Sequence, residues 1–521
     1  MGSGSFVGPW KFDYHPWLRD MHISDAEMNV GQKSAQMGYT ETLLNVVFYK
    51  IDIEKTDCLY LLPASHPDAR DFSASRFDPA LESSNHLKLM FSDVKNLGHK
   101  RAGTTNLYIR GSRSKSGLKS IPVGFIAFDE VDEMEQDNIP LAMERTAGQL
   151  KKSVWMISTP RIDNKGINKY YRQTTQEHFF FKCPHCSKRI ELLFPDCLKI
   201  TGDHLLDPKI YDSFYFCTEC KHPITQEEKR IALALSGHWI PTHPGVRARG
   251  FHVNQLYSPT IKPYEIAEAF FRAQQDQADE QEFYNSKLGL THVVDGAQID
   301  ETMIEACKGT FKRCSEFKDG RFYVTMGVDV GKWLHYEIDM WTIPQNASAN
   351  DINAHAHCKV INYGKCVNFT ELDDLMRKFK VNFCVIDANP EKRKAEEFVK
   401  RHYGRSRMCF YSNNVKGRTL IATQTVEDAV SVDRVSWLDQ SLGRIKAGKD
   451  RISLPVDLDM EYRNHMQALV RIYEKDADGN PLGKYINGSS ADHYAHARNY
   501  AEIALPLAIG QGVSHNIKSV I

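Results

Sequence analysis

The apolar run Val123-Gly-Phe-Ile-Ala-Phe ends in two adjacent carboxylates, Asp129 and Glu130, with Asp132 and Glu133 close behind. A buried parallel strand has this form when it delivers an acidic pair to the carboxyl edge of a sheet. Such a pair suits phosphoryl transfer: the first acid positions a Mg2+ ion and the second polarises the attacking water. Upstream, Lys33-Ser34-Ala35-Gln36-Met37-Gly38-Tyr39-Thr40-Glu41 leads into the apolar helical run Leu43-Leu-Asn-Val-Val-Phe. A phosphate loop needs glycine for a tight turn, consecutive backbone N–H groups, a hydroxyl for Mg2+ and a lysine for the β/γ charge. Against G-x-x-x-x-G-K-[ST], Gly38 and Thr40 fall in place, Tyr39 takes the lysine position, and Lys33 stands where the opening glycine belongs. A lysine there can fold back over the phosphates that the loop encloses, so Lys33 is expected to carry the charge that Tyr39 cannot.

A third strand-like run, Ser153-Val-Trp-Met-Ile-Ser158-Thr159-Pro160, follows the acids and ends in small hydroxyl residues. Cys58-Leu-Tyr-Leu-Leu-Pro63 reads as another buried strand between loop and acids. This order predicts an α/β, P-loop ATPase domain of the additional-strand (ASCE, RecA-like) kind over residues 1–295. Cys183-Pro-His-Cys186 and Cys217-Thr-Glu-Cys220 interrupt it, with thirty residues between the pairs. Each CxxC turn brings two thiolates to one face, and four thiolates close a tetrahedral Zn2+ site with no open position. The metal is therefore expected to be structural, in an insertion over residues 178–245, with Cys197, His185 and His222 left out of its ligand set.

Three further acids follow. Gly320-Arg-Phe-Tyr-Val-Thr-Met-Gly-Val-Asp329-Val-Gly331 holds one inside a β-run, Val381-Asn-Phe-Cys-Val-Ile-Asp387 ends a strand with another, and Asp492 opens a helical stretch. Burying a lone carboxylate is costly unless it holds a cation or a hydrogen-bond partner. One acid in a first strand, one ending a later strand and one on a late helix is the order of RNase H-like nucleases, whose acids hold two divalent ions that activate water. An RNase H-like nuclease domain is expected over residues 320–521, reached by a connection over residues 296–319, with Mg2+ or Mn2+ on Asp329, Asp387 and Asp492. His493 could assist a metal or phosphate, and His496 reads as packing. Within the basic stretch that begins at Lys392, Arg405, Arg407, Lys416 and Arg418 exceed what solubility requires and are expected to grip DNA phosphates.

These residues need scaffolds, and 521 residues are too many for one core, so two or three domains are expected. Apolar content of 42 % and charged content of 25 % are those of a globular protein. No apolar run approaches the roughly 18 residues of a membrane span, and no basic-then-apolar segment opens the chain, so neither a membrane anchor nor a secretory signal is expected. Lys plus Arg and Asp plus Glu are 66 each, which excludes a generally basic nucleic-acid coat but not a basic groove. Twelve cysteines in such a chain argue for a reducing compartment, where clustered thiols bind metal.

In this combination the chain resembles, over nearly its whole length, the large subunit of tailed-bacteriophage DNA-packaging terminases, in particular the lambda-like GpA group. The resemblance rests on Lys33 to Glu41, Phe128-Asp-Glu-Val131, Ser158-Thr-Pro160, the two CxxC pairs, Gly250-Phe-His-Val-Asn254 with Leu256-Tyr-Ser-Pro259, and the Asp329, Asp387, Asp492 trio. It implies an ATPase that drives double-stranded DNA through a portal ring into a preformed capsid, and a nuclease that cuts concatemeric DNA, in the host cell cytoplasm. By residue it implies that Lys33 neutralises phosphate charge and that Thr40 and Asp129 hold Mg2+. Glu130 would activate water, and Ser158, Thr159 and Pro160 would couple hydrolysis to motion. It further implies a small DNA-recognising subunit, a portal, and assembly as a ring, commonly a pentamer. The arginine completing the ATP site stays open among Arg70, Arg76, Arg101 and Arg145. Two other readings stay open: a helicase- or repair-type ATPase–nuclease, which needs a second RecA-like domain, and a zinc-bearing DNA-binding scaffold whose loop, with Tyr39, no longer hydrolyses ATP.

Overall fold

The computed structural model describes residues 10–91, 94–119, 121–315, 322–344, 352–422, 428–475, 481–488 and 491–510. The opening Met1-Gly-Ser-Gly-Ser, the last part of the expected connection (316–319) with Gly320 and Arg321, and Ser490 lie outside the described residues. The chain forms two compact units, Met1–Val294 and Asp295–Ile521.

The first unit is built on β1 (Met28–Lys33), α1 (Tyr39–Asp52), β2 (Cys58–Leu62), β3 (Thr105–Gly111), β4 (Phe125–Asp129), β5 (Ser153–Ser158), α2 (Gly166–Tyr171), β6 (Glu177–Lys182), β7 (His238–Pro241) and β8 (Arg249–Val253). Its sheet runs β7-β6-β8-β1-β5-β4-β2-β3, continued by the short strands His99–Ala102 and Val94–Asn96. From β8 to β3 all neighbours are parallel. β5 lies between β1 and β4, which is the additional strand of the ASCE arrangement. Helices cover both faces, so β2 and β4 are buried at every position and read as continuous apolar runs. Strand alternation splits those runs between two cores. Tyr60, Phe125 and Ala127 join Leu43, Val47 and Ile51 of α1 on one face, while Leu59, Leu61, Ile126 and Phe128 join Ile139 and Ile167 on the other. The register sets Gln32 beside Ser158 and Asp129 beside Ile157, so the sheet brings the ends of β1, β4 and β5 to one edge.

The second unit contains β9 (Phe322–Val330), β10 (Leu334–Thr342), β11 (His357–Cys366), β12 (Phe383–Asp387), α3 (Lys392–Arg401), β13 (Ser406–Tyr411), β14 (Ala429–Val432), α4 (Arg434–Ala447), α5 (Met460–Gln467), β15 (Leu469–Lys475), β16 (Pro481–Asn487) and α6 (His493–Ala508). Its main sheet runs β14-β13-β12-β9-β10-β11, with β9, β10 and β11 antiparallel and β12, β13 and β14 parallel beyond them, the RNase H-like order. α6 is buried from Tyr494 to Leu507 except at the half-buried His496, and packs directly on β9. That approach requires Gly327, because a Cβ there would stand 2.0 Å from the carbonyl oxygen of Ala497. Residues 296–315, read as a connection, carry the helix Glu301–Ala306, and Ile299, Ile304 and Cys307 are buried in a core with Trp341 and Leu438.

Candidate active sites

Lys33 ends β1 and is buried, and its Nζ lies 2.6 Å from Oε1 of Glu130. Burial opposes its charge, but Glu130 and Asp129 outweigh burial and hold its pKa above the ordinary lysine value. After it, Ser34, Ala35, Gln36, Met37 and Gly38 turn into α1, with Gly38 left-handed at φ 84° as its N-cap. The turn is braced from three sides: Trp17 Nε1 donates to the Met37 oxygen, Gln255 Nε2 to the Ala35 oxygen, and the Ala35 N–H to the Ser286 oxygen. Tyr39 is buried against the core beside Gly31 and does not face the loop.

Asp129 ends β4 and gathers two donors. Tyr60 gives its hydroxyl hydrogen to Oδ2 at 2.8 Å, and Thr40 Oγ1 lies 3.4 Å from Oδ1. Burial, then the neighbouring Glu130, raises Asp129 to about 6 against the opposing pull of Lys33, Tyr60 and Thr40. Glu130 sits in the left-handed region at φ 63°, a strained conformation for a residue with a side chain, of the kind that concentrates at functional sites. Among the four candidate arginines, Arg76 reaches this edge, with Nη1 3.2 Å from Oε1 of Glu41, and its charge is felt by Lys33. Arg145 stands by the start of β4, where its carbonyl accepts from Val123, and Arg101 Nε donates to the Gly103 oxygen.

The acidic turn is tied to the end of β5. Ser158 Oγ accepts from the Asp132 N–H at 3.1 Å and donates to the Thr159 oxygen at 3.2 Å, and Pro160 is buried beside them. Burial raises Asp132 to about 6, and its carboxylate accepts from the N–H groups of Ile167 and Arg161. Asn168 of α2 in turn donates to Gln32, next to Lys33.

Cys183, Cys186, Cys217 and Cys220 bring their sulfurs within 4.8 Å of one another, with Cys183–Cys220 at 3.9 Å and Cys186–Cys217 at 3.8 Å. A tetrahedral ion with bonds of about 2.3 Å sets its sulfurs about 3.8 Å apart, so the four thiols fit Zn2+. Both CxxC turns are alike: Cys183 N–H bonds to the Lys188 oxygen and Cys217 N–H to the His222 oxygen, while Ser187 and Lys221 take positive φ. Cys197 is buried outside the group, and the rings of His185 and His222 lie against each other, tilted by 45° with centroids 3.8 Å apart.

In the second unit Val328 of β9 pairs with Ile386 of β12, which sets Asp329 and Asp387 side by side. Burial raises Asp387 to about 6; Asp329 adds to the rise, while the Asn389 N–H and His496 oppose it. Asp492 caps α6. Burial alone would raise it, but His496, whose Nε2 is 3.5 Å from Oδ2, together with Arg434 brings it down to about 2. His493 Nδ1 lies 2.8 Å from Oδ2 of Asp329, and that hydrogen bond raises the imidazole pKa against burial. The register sets Asp329 near Asp387, while Asp492 is tied to His496 and Asp329 to His493; the three carboxylates are not among the groups whose ligand atoms all lie within 4.8 Å of one another among the described residues. Arg405 precedes β13 and Arg407 lies near its start, level with the start of β12 and away from Asp387, and Arg405 donates to the Val381 oxygen. Lys416 and Arg418 lie past the far end of β13, and both are exposed.

Two family models match in tandem: phage terminase large subunit gpA, ATPase domain, over residues 4–239, and terminase large subunit gpA, endonuclease domain, over residues 248–508. The chain belongs to the gpA family of phage terminase large subunits. It is 25% identical over 359 residues to the terminase large subunit of Escherichia phage lambda, covering 60% of this chain and 53% of that one. It is 25% identical over 298 residues to the terminase large subunit of Enterobacteria phage P21, covering 50% and 45%. The chain thus spans about half the length of these relatives. The crystal structure of the HK97 bacteriophage large terminase aligns with a TM-score of 0.47 at 10% identity, covering 96% of each chain.

In this gpA-family chain no motif announced Tyr60, His335 or the role of His496. Tyr60 was hidden inside an apolar strand; its signal is strand alternation, which points it to the same face as Ala127 and Asp129. His496, read as packing, instead bridges Asp492 and the hydroxyl of Tyr411, and one helical turn from Asp492 was its signal.

Proposed function

We propose that this chain is a packaging motor joined to a nuclease: ATP hydrolysis in the first unit drives double-stranded DNA into a procapsid, and the second unit cuts concatemeric DNA. The observation that carries the motor reading is the convergence of Lys33, Thr40, Asp129 and Glu130 on one sheet edge, where a loop and the N-terminus of α1 meet an acidic strand end. Lys33 neutralises phosphate charge from the start of the loop, and Ser34 to Glu41 line the phosphates. Thr40 and Asp129 would hold Mg2+, which supplies charge neutralisation between the β- and γ-phosphates. Glu130 takes the proton of the attacking water once Lys33 turns to the phosphates. Ser158, Thr159 and Pro160 read the change through Asp132 and pass it to α2.

Asp329, Asp387 and Asp492 would hold the Mg2+ or Mn2+ ions of the nuclease, which activate water and stabilise the leaving oxygen. The raised Asp387 and the lowered Asp492 are what neighbouring carboxylates do when one is buried with a like charge and the other is paired with histidine. Lys416 and Arg418 are placed to meet DNA phosphates beyond β13; Arg405 and Arg407 would meet DNA at a separate level of the sheet. Four cysteines would hold a structural Zn2+. A small terminase subunit, a portal and a homo-oligomeric ring, commonly a pentamer, are the partners this reading implies, in the host cell cytoplasm.

The deciding measurement is ATP turnover with and without DNA for wild type and Glu130→Gln. Wild-type turnover should exceed that of the variant by about 10²–10⁴-fold, the usual worth of a positioned base. Equal rates under both conditions remove the motor and leave the zinc-bearing scaffold. For the nuclease, Asp329→Ala and Asp387→Ala should each abolish metal-dependent plasmid cleavage while ATP turnover persists.

A further inference from the structure

The hairpin of β9 and β10 does something that the acid trio does not require. It sets His335 directly opposite Asp329 in the antiparallel register, two residues past the exposed Lys332-Trp333 turn. α6 then brings His493 to the same point. Asp329, His335 and His493 offer ligand atoms that all lie within 4.8 Å of one another. His335 is 4% exposed, and its Nδ1 has no hydrogen-bond partner among the described residues. A buried imidazole nitrogen left unsatisfied is uncommon and calls for a partner. The His335 and His493 rings are stacked, 13° apart with centroids at 4.4 Å, which holds the two imidazoles beside each other at Asp329. Asp329 and His493 place ligand atoms 2.8 Å apart, close to the roughly 3.0 Å between neighbouring positions around an ion with bonds of about 2.1 Å.

We propose that Asp329, His335 and His493 form a cation site selective for a first-row transition divalent ion over Mg2+ and Ca2+. Two imidazoles and one carboxylate are a donor set that hard, oxygen-seeking ions occupy poorly and transition ions occupy well. The site extends the nuclease reading, in which Asp329 already holds a cation: one carboxylate bridges an all-oxygen position shared with Asp387 and an imidazole-bearing position on its other side. Three protein ligands leave coordination positions open, and the His493 side chain, 39% exposed, marks the side from which a phosphate oxygen reaches them. A third imidazole, His465 on α5, lies 5.7 Å from both rings and is held off by accepting the Tyr494 N–H, so it shapes the site without joining it.

The test uses the full chain, with Mn2+ as probe, its free concentration read by electron paramagnetic resonance and Mg2+ added as competitor. Wild type should hold Mn2+ against at least a tenfold excess of Mg2+, and pulsed spectra of the bound ion should carry couplings from directly ligated imidazole nitrogen. His493→Ala, at the partly exposed ligand, should remove one nitrogen coupling and weaken Mn2+ tenfold or more. His335→Asn, which keeps a polar side chain in the buried position, should remove the other. Bound Mn2+ without nitrogen coupling, or variants with unchanged Mn2+ affinity and unchanged Mg2+ competition, would overturn the site. Plasmid cleavage is scored separately: its absence in a wild type that shows the nitrogen couplings defeats the nuclease reading and leaves the cation site standing.

Discussion

Nζ of Lys33 and Oε1 of Glu130 are 2.6 Å apart, a charge pair that joins the end of β1 to the end of β4 across the intervening β5. A cation is thus present at the sheet edge, delivered from the end of β1. In the proposed motor the pair gives Glu130 two partners, the lysine and the attacking water.

Lys33→Ala should lower ATP turnover by at least about 10²-fold, the scale on which a single preorganised charge contributes to a transition state. Adding Tyr39→Lys, which rebuilds the common motif on paper, should not restore it. Tyr39 is buried, and an ammonium placed there costs several kcal/mol, so the double variant should melt earlier as well. Turnover and thermal unfolding of the single and double variants check this, and a rescued double variant would refute it.

Tyr60→Phe should act on Mg2+ without touching the phosphates. The hydroxyl stabilises ionised Asp129, which burial has raised to about 6, so its loss raises that carboxyl further. A hydrogen bond to a charged group is worth about 1.5–3 kcal/mol, which predicts a roughly tenfold or greater rise in the Mg2+ needed for half-maximal turnover. The acid limb of the pH profile should move to higher pH. An unchanged Mg2+ dependence would show that Thr40 alone orients Asp129.

What the chain revealed in advance follows from where its chemistry sits. Buried parallel strands must be apolar, so Phe125 to Asp129 and Phe383 to Asp387 stand out as runs closed by an acid, and the acids fall at strand ends where a sheet can use them. Contacts set by register were harder to read. His335 meets Asp329 only because the hairpin turns about Lys332, and Tyr60 meets Asp129 only through alternation on neighbouring strands. Arg405 and Arg407 were grouped with Lys416 and Arg418 by nearness in sequence, but they sit at the start of the strand Ser406–Tyr411, and Lys416 and Arg418 lie past its other end. The Glu301–Ala306 helix was missed because six residues are too few to establish a period.

Asp339 offers a pH-dependent prediction. It is fully buried beside Glu337 and Cys358, and Nη1 of Arg498 stands 3.6 Å from its Oδ2. Burial, then Glu337, pushes its pKa well above the ordinary value, against the pull of Arg498. A raised carboxyl is protonated in the fold and ionised in the unfolded chain above about pH 3.9, so its contribution is complete below that pH and is lost as pH rises. Asp339→Asn removes the proton uptake and should flatten the fall in stability as pH rises above about 4, where one such group accounts for at most about 1.4 kcal/mol per pH unit. Hydrogen exchange at the β10 amides reads this locally. Parallel slopes in wild type and variant would mean that Asp339 is ionised in the fold.

Cys183 stands just past the end of β6 and shares the core of the first unit with Phe179 and Trp239, so a metal at the four sulfurs braces that unit's sheet as well as its own turns. Structural Zn2+ contributes apparent free energies of about 10–16 kcal/mol, which equals or exceeds the roughly 5–15 kcal/mol net stability of a whole domain. Cys183→Ser should therefore cost one tightly bound zinc per chain and open residues 178–245 to protease. His185→Ala is the matched control: its ring lies against that of His222 outside the sulfur group, so zinc content should stay at one per chain. Elemental analysis of natively purified protein decides first, since a wild type without stoichiometric zinc ends the argument. Zinc retained by Cys183→Ser with an intact insertion would instead mean that three thiols and a neighbouring group suffice, and His185 would then be the residue to remove.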